Sequence, residues 1–383
     1  MANRWSFVGA ILMTGVALAA LTLFGTRQYG FNPSALLHMD VVFGETHDVA
    51  PGVVLYKDGG YDGMLYYEVA RDLPKLLSGE PVSLDSPYRF QRVLLPLLVY
   101  GLSFGNVAWF PAVTLFLNFA AILGTFAVAL RMAGRPSVHA FAVVFNPAML
   151  VGLLYSLTEP LSAFFMMIFL ARWQSRGRTV DWACVAALLL SLLARETTVF
   201  LIGLLGLWHV WKRDWKSVVL LGLTIALFAG WQYALVLRLG SLPFRTGGNI
   251  IVWPFLGPLS VVRWAFEDTG MKLAYRLSSL PLLAFVLATG AAVALDWKKK
   301  GTAQDVLGFT LAGLCAVMLS MDPHMWGALT SIGRVVTPFY PAYFLFASSR
   351  DTRFLRLLSW CLILFSAVAA VGIAYVRHPY VVS

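Results

Sequence analysis

Residues 107–130 read VAWFPAVTLFLNFAAILGTFAVAL, an unbroken run without a charged side chain that stops at Arg131. A helix of about 20 such residues crosses the hydrocarbon core of a bilayer, so this stretch predicts a transmembrane helix. Comparable apolar runs predict further crossings at 6–25, 139–154, 157–173, 181–195, 197–211, 217–238, 278–296, 305–321, 329–347 and 357–376, eleven in all with 107–131. The segment 92–104 is short for a span and reads as a partial or tilted helix. Composition agrees, since 59% of the 383 residues are hydrophobic and only 13% charged, against roughly 25% charged in a soluble domain. The expected fold is all-α, a polytopic transmembrane helical bundle forming one domain over 1–383. That excludes a soluble enzyme, a nucleic-acid-binding module, a disordered scaffold and a small disulfide-stapled domain. The run 6–25 exceeds the usual h-region of a signal peptide and reads as a retained first helix.

The net charge of +10 has an explanation in the same pattern. Fifteen of the 29 basic residues sit in short clusters between apolar runs, among them Arg172, Arg176 and Arg178, Lys298 to Lys300, and Arg350, Arg353 and Arg356. Such clusters favour the cytoplasmic side of a membrane. With Arg4 inside, eleven crossings put every cluster there and the C-terminus outside. Two outer loops follow, 26–91 and 239–277. The later loop is Gly- and Pro-rich, with Arg245, Arg263, Lys272 and Arg276 and the aromatics Trp253, Phe255, Trp264, Phe266 and Tyr275, which suit an interfacial belt or a groove for a lipid tail or sugar. Cys184, Cys315 and Cys361 lie far apart in apolar runs, a spacing that suits neither a disulfide nor a metal site.

The first outer loop holds nine of the 19 acids. Within it, Asp58-Gly59-Gly60-Tyr61-Asp62-Gly63-Met64-Leu65-Tyr66-Tyr67-Glu68-Val69-Ala70 turns into a helical pattern, with Leu65, Val69 and Leu73 on one face. The pattern predicts about three amphipathic turns lying on the membrane surface, ended by Pro74. Asp62 at its start suits two roles, a helix N-cap and a general base for an acceptor hydroxyl. Asp40, close after the first run, is a second candidate carboxylate. It stands among His38, His47 and Asp48, which suit surface solvation or a metal or acid/base site.

Tyr88-Arg89-Phe90-Gln91-Arg92 then carries two arginines into an apolar run. An arginine entering the bilayer without a partner is costly and marks a functional site by default, and its planar fork suits phosphate. Snorkelling at the interface is the alternative and fits Arg89 better than Arg92. Ala194-Arg195-Glu196-Thr197 breaks two mid-chain apolar runs on the outer side, where Arg195 and Glu196 can neutralise one another. Glu159 before Pro160 reads as a loop residue near a helix start. Asp322, His324 and Arg334 mark a late outer loop, with a spacing too weak for a metal site.

The layout resembles the GT-C superfamily of polytopic glycosyltransferases, which use polyprenyl-phosphate-linked sugars. The stretch Tyr61-Asp62-Gly63-Met64-Leu65-Tyr66-Tyr67-Glu68-Val69-Ala70 is similar to their acid-x-x-x-aromatic-x-x-hydrophobic-Ala motif, with bacterial members of the cell-surface glycopolymer type the nearest in appearance. Gln91-Arg92-Val93-Leu94-Leu95-Pro96-Leu97 is similar to the basic residue and prolines that precede a short helix, with one proline where many members have two. The resemblance implies Asp62 as general base, Arg92 on the donor phosphate and Arg195 near it. Tyr66, Tyr67, Arg89, Gln91, Glu196, His324 and Arg334 are then expected to line the substrates. It also implies an inner-membrane enzyme acting on the outer face, with inverting transfer of a hexose or pentose from the lipid-linked donor to a lipid or glycan acceptor, a divalent cation being a possible aid.

The chemistry is coherent without the family name. Sugar nucleotides are confined to the cytoplasm, so an outward-facing transferase needs a lipid-carried donor whose leaving group is a phosphate. A preorganised arginine stabilises that developing charge, and a carboxylate takes the acceptor proton. The competing functions are a transporter or flippase, which places ionisable groups near the bilayer midplane, a ligase for lipid-linked saccharides, and a non-catalytic membrane partner.

Overall fold

The computed structural model describes residues 4–47, 49–84, 87–243, 251–300, 305–335, 337–376 and 378–382. Asp48, Asp85, Arg245, Gly247 and Gly248 lie outside the described residues. From the N-terminus, α1 (Arg4–Thr26) leads into the first loop, with strand β1 (Met39–Asp40), α2 (Val41–Thr46), strand β2 (Val54–Tyr56) and α3 (Asp62–Ser78). Then come α4 (Leu94–Leu102), α5 (Phe110–Ala133), α6 (Val138–Ala142), α7 (Pro147–Leu154), α8 (Glu159–Ser175), α9 (Trp182–Ala194), α10 (Thr198–Trp211) and α11 (Trp215–Leu239). The second half holds α12 (Leu256–Glu267), α13 (Gly270–Leu277), α14 (Leu280–Lys300), α15 (Val306–Leu319), α16 (Pro323–Trp326), α17 (Leu329–Val335), α18 (Phe339–Arg350), α19 (Arg353–Tyr375) and strand β3 (Tyr380–Val382).

Among the described residues five helices are long and apolar enough to cross a membrane: α1, α5, α11, α14 and α19. Each leaves large apolar side chains bare, as with Leu12 and Met13 on α1, Leu237 on α11, and Leu364 and Val368 on α19. Apolar surface on that scale suits lipid rather than water. The shorter helices α8 and α9 form the packed centre, burying Met166, Phe169, Trp173, Leu188 and Leu192. They run antiparallel. Arg172 near the end of α8 bonds Asp181, the cap of α9, while Glu159 at the start of α8 bonds Arg195 just past α9. One turn in from the Glu159–Arg195 end, the hydroxyls of Ser162, Ser191 and Thr198 join α8, α9 and α10 at 2.9–3.3 Å. Small hydroxyl residues allow such close helix approach and supply interhelical hydrogen bonds.

Two expected single helices are each divided in two. The run 139–154 is interrupted before Pro147, where Asn146 caps α7 by accepting the Met149 N–H at 3.2 Å. The run 329–347 is split around Pro338 into α17 and α18. Proline lacks the N–H a continuing helix needs. Pro74 does not end α3, which continues to Ser78 and stops at Gly79, in the left-handed region with φ 93°. Burial of Val69, Leu73 and Leu76 along one face carries the helix past the missing hydrogen bond. Arg238 also satisfies the carbonyls of Lys75 and Leu76. Within the segment 92–104 lies the short helix α4, of nine residues.

No strand is expected from the sequence, yet β1, β2 and β3 form one small sheet. β1 pairs parallel with β2, and β2 pairs antiparallel with β3, Leu55 opposite Val381. The end of the chain is thereby joined to the first loop. Strands of two or three residues are too short to leave a readable alternation.

Candidate functional site

Asp62 opens α3, but the N-cap position belongs to Tyr61, whose side chain makes no capping bond. The capping role falls to Asp40 instead, whose carboxylate accepts the Phe43 N–H of α2 at 2.6 Å. Asp62 is turned to arginines. Its Oδ2 accepts from Arg334 Nη1 at 2.8 Å, and its Oδ1 lies 3.1 Å from Arg89 Nη2. Arg334 also reaches Glu159 Oε1 at 3.4 Å and stacks over the Tyr61 ring. Tyr61 is held in turn by Tyr155, stacked at 4.3 Å, and by its N–H bond to the His38 carbonyl at 2.8 Å.

Behind this group is a drier one. Arg92 donates from Nε to Glu196 Oε2 at 2.7 Å and from Nη2 to Oε1 at 2.6 Å, a bidentate pair. Its Nη1 donates to Tyr66 at 2.8 Å and its Nη2 also to Tyr88. The Tyr88 hydroxyl in turn donates to Glu196 Oε1 at 3.1 Å. Arg195 turns away from its neighbour Glu196 and pairs with Glu159. The two adjacent residues therefore are not each other's ion-pair partner; each pairs with a different segment.

Exposure divides the network into a mouth and a floor. The side chains of Asp62, Arg89 and Arg334 are 16%, 22% and 11% exposed, whereas Arg92 is 4% and Glu159 is 0%. Four arginines face three carboxylates, leaving one surplus positive charge. Burial by itself raises the Asp62 carboxyl, but Arg334, Arg89 and Arg92 outweigh it and hold the group well below the usual carboxylate range. Burial likewise raises Glu196, and Arg92 and Arg195 outweigh it, bringing that carboxyl down to about 2. Several buried polar atoms of this region have no hydrogen-bond partner, among them Glu159 Oε2, Arg195 Nε, Arg334 Nε and both side-chain polar atoms of Gln91. Buried polar groups left without partners in a native fold store strain or meet water or an ion.

Close packing at two glycines brings these segments together. A Cβ on Gly63 would lie 2.4 Å from the Tyr155 carbonyl oxygen and 2.6 Å from that of Leu37, so α3 starts in a slot only glycine fits. A Cβ on Gly333 would stand 2.5 Å from that of Pro147, which lets α17 lie on α7 and carry Arg334 to Glu159. Gly63→Ala is expected to push Asp62 out of register and lower stability by about 1–3 kcal/mol, the usual cost of overpacking. Thermal unfolding in detergent checks this, and an unchanged midpoint would remove the slot from the account.

Of the residues singled out in the sequence, Asp62, Arg89, Tyr66, Arg92, Arg195, Glu196 and Arg334 come together here. Gln91 is buried beside them. Tyr67 points elsewhere, accepting the Ala50 N–H and packing on Phe110. His324 is exposed at the start of α16, where Asp322 accepts its backbone N–H. Glu159, Tyr61 and Tyr88 are the participants the sequence reading assigned no part. Glu159 carried a usable signal, an acid at the edge of an apolar run in a chain poor in acids. Among the described residues no group of three or more His, Cys, Asp and Glu is placed to hold a metal ion.

Compared with protein-family models, with curated proteins and with solved structures, the chain has no match.

Proposed function

We propose that the chain is a membrane glycosyltransferase of GT-C type, with about eleven crossings, moving a sugar from a polyprenyl-phosphate donor to an acceptor hydroxyl on the outer face of the cytoplasmic membrane. The observation that carries this reading is a partly exposed carboxylate, Asp62, held between two partly exposed guanidiniums, Arg89 and Arg334. In the reaction the acceptor oxygen bonds to the anomeric carbon and its proton passes to Asp62. The bond from that carbon to the phosphate oxygen breaks, its electron pair leaving with the phosphate.

A carboxyl held so low is a weak base while both arginines clasp it. A donor phosphate bound at the mouth draws Arg89 and Arg334 from Asp62, because phosphate accepts several charge-assisted bonds at once. That exchange restores basicity to Asp62 and places both cations where the leaving charge develops. Arg92 has its donors taken by Glu196, Tyr66 and Tyr88 and acts in this scheme as a support of the floor.

Native mass spectrometry of the detergent-purified protein tests the reading. An isoprenoid monophosphate, with or without a sugar, is expected on wild type and lost from Arg334→Met. A pyrophosphate-linked oligosaccharide in its place would replace the transferase with a ligase or flippase.

A further inference from the structure

Among the described residues, the helix α12 has one face with no protein against it. Phe255, Leu259, Val262 and Phe266 recur at helical spacing and are all exposed, Phe266 at 87% and the preceding Trp253 at 81%. The opposite face is anchored. A Cβ on Gly257 would lie 2.2 Å from the Met321 carbonyl oxygen and 2.3 Å from the Trp326 ring, and Val261 is wholly buried. Arg263 and Glu267 pair at 2.7 Å along the flank of the stripe.

We propose that this stripe is seated in the bilayer surface, on the side where Asp62 stands. The inference rests on reading the chain as a membrane protein, and not on glycosyl transfer. Three observations favour lipid as the occupant. First, α12 lies in the connection between two helices long enough to cross, α11 and α14, and only Ser278 and Ser279 separate α13 from α14. The connection is thus tied at both ends to helices that themselves leave large apolar side chains bare, Leu237 on α11 and Leu295 on α14. Second, at 12 residues α12 is about 18 Å long, too short to span, so its apolar side is best met lying flat. Third, one apolar stripe flanked by charged residues is the pattern of interfacial helices, which sink roughly 5–10 Å into the headgroup boundary. The seating bears on the site. Phe255 N–H bonds the Leu319 carbonyl at 2.7 Å, Arg276 bonds the Gly327 carbonyl at 3.4 Å, and the Leu329 N–H bonds Ser278 at 3.2 Å. These ties join α12 and α13 to the segment that leads into α17, the helix that carries Arg334.

Nitroxide labels on the full chain in phospholipid nanodiscs test this. Cys361, the exposed one of the three cysteines, is replaced by Ser. Labels are placed singly through Phe266→Cys on the stripe, Glu267→Cys on the flank and Leu364→Cys in the middle of α19. The Phe266 label is expected to collide several-fold more with oxygen than with a water-soluble nickel chelate, at a shallower depth than the Leu364 label. The Glu267 label is expected to meet the chelate freely. If the Phe266 label is as open to the chelate as Glu267 while Leu364 stays in lipid, the seating is overturned. Shielding from both reagents with spin–spin broadening overturns it in favour of a second copy of the chain. A Leu364 label in water would instead sink the membrane reading itself, and the seating with it.

Discussion

Asp62→Asn is expected to lower sugar transfer by about 10²–10⁴-fold, the usual contribution of a positioned general base, with the fold kept. Asparagine retains the shape at the start of α3 but keeps one acceptor oxygen where Asp62 offers two to Arg334 and Arg89, so both cations stay free to meet a donor phosphate. The readout is turnover against a synthetic polyprenyl-phosphate sugar at saturating donor. Near wild-type turnover would sink the base role and favour a non-catalytic part for the loop. Stability gives an independent check. The carboxyl of Asp62 is lower in the folded protein than its ordinary value near 3.8. Its ion pairs therefore contribute stability above about pH 4 and lose it as the pH falls through the folded value. The gap in thermal midpoint between wild type and Asp62→Asn should be steady in the neutral range and close in acid.

Glu196→Ala is expected to cost about 3–5 kcal/mol, the usual result of stripping one partner from a buried ion pair. Arg92 would be left charged, with Tyr66 and Tyr88 as its remaining partners. Replacing both members, with Arg92→Met and Glu196→Met, should recover most of that loss, since an apolar pair needs no counter-charge. Unfolding in a denaturing detergent titration separates the cases. A Glu196→Ala protein as stable as wild type would show that the pair is not what holds α4 to the turn between α9 and α10. Donor affinity in the double variant then reports on Arg92 directly. Affinity near wild type places the phosphate at Arg89 and Arg334, whereas a large loss returns it to Arg92, as the family resemblance implies.

The candidate site was half legible. Asp62 after a glycine run, Arg89 and Arg92 entering an apolar run, and Arg195-Glu196 between two apolar runs were each local oddities. What could not be read was their pairing. Glu196 serves Arg92, 104 positions away, and Arg195 serves Glu159, 36 positions away. Asp62 and Asp40 show the same limit from the other side. Either acid suits an N-cap by type, and only the direction of the backbone before α2 and α3 gave that role to Asp40.

Local sequence was enough for five long apolar helices, the short helix after Arg92 and the concentration of acids in one loop. These depend on the hydrophobicity and periodicity of neighbouring residues, which the chain carries locally. Tertiary structure alone decided where α3 stops, how β3 returns to the first loop, and which guanidinium meets which carboxylate. Asp62 and Arg334 stand 272 positions apart and meet because Gly63 and Gly333 let backbones approach that any side chain would hold off. Charge pairing at such a distance is a property of how helices pack, and no window of sequence contains it.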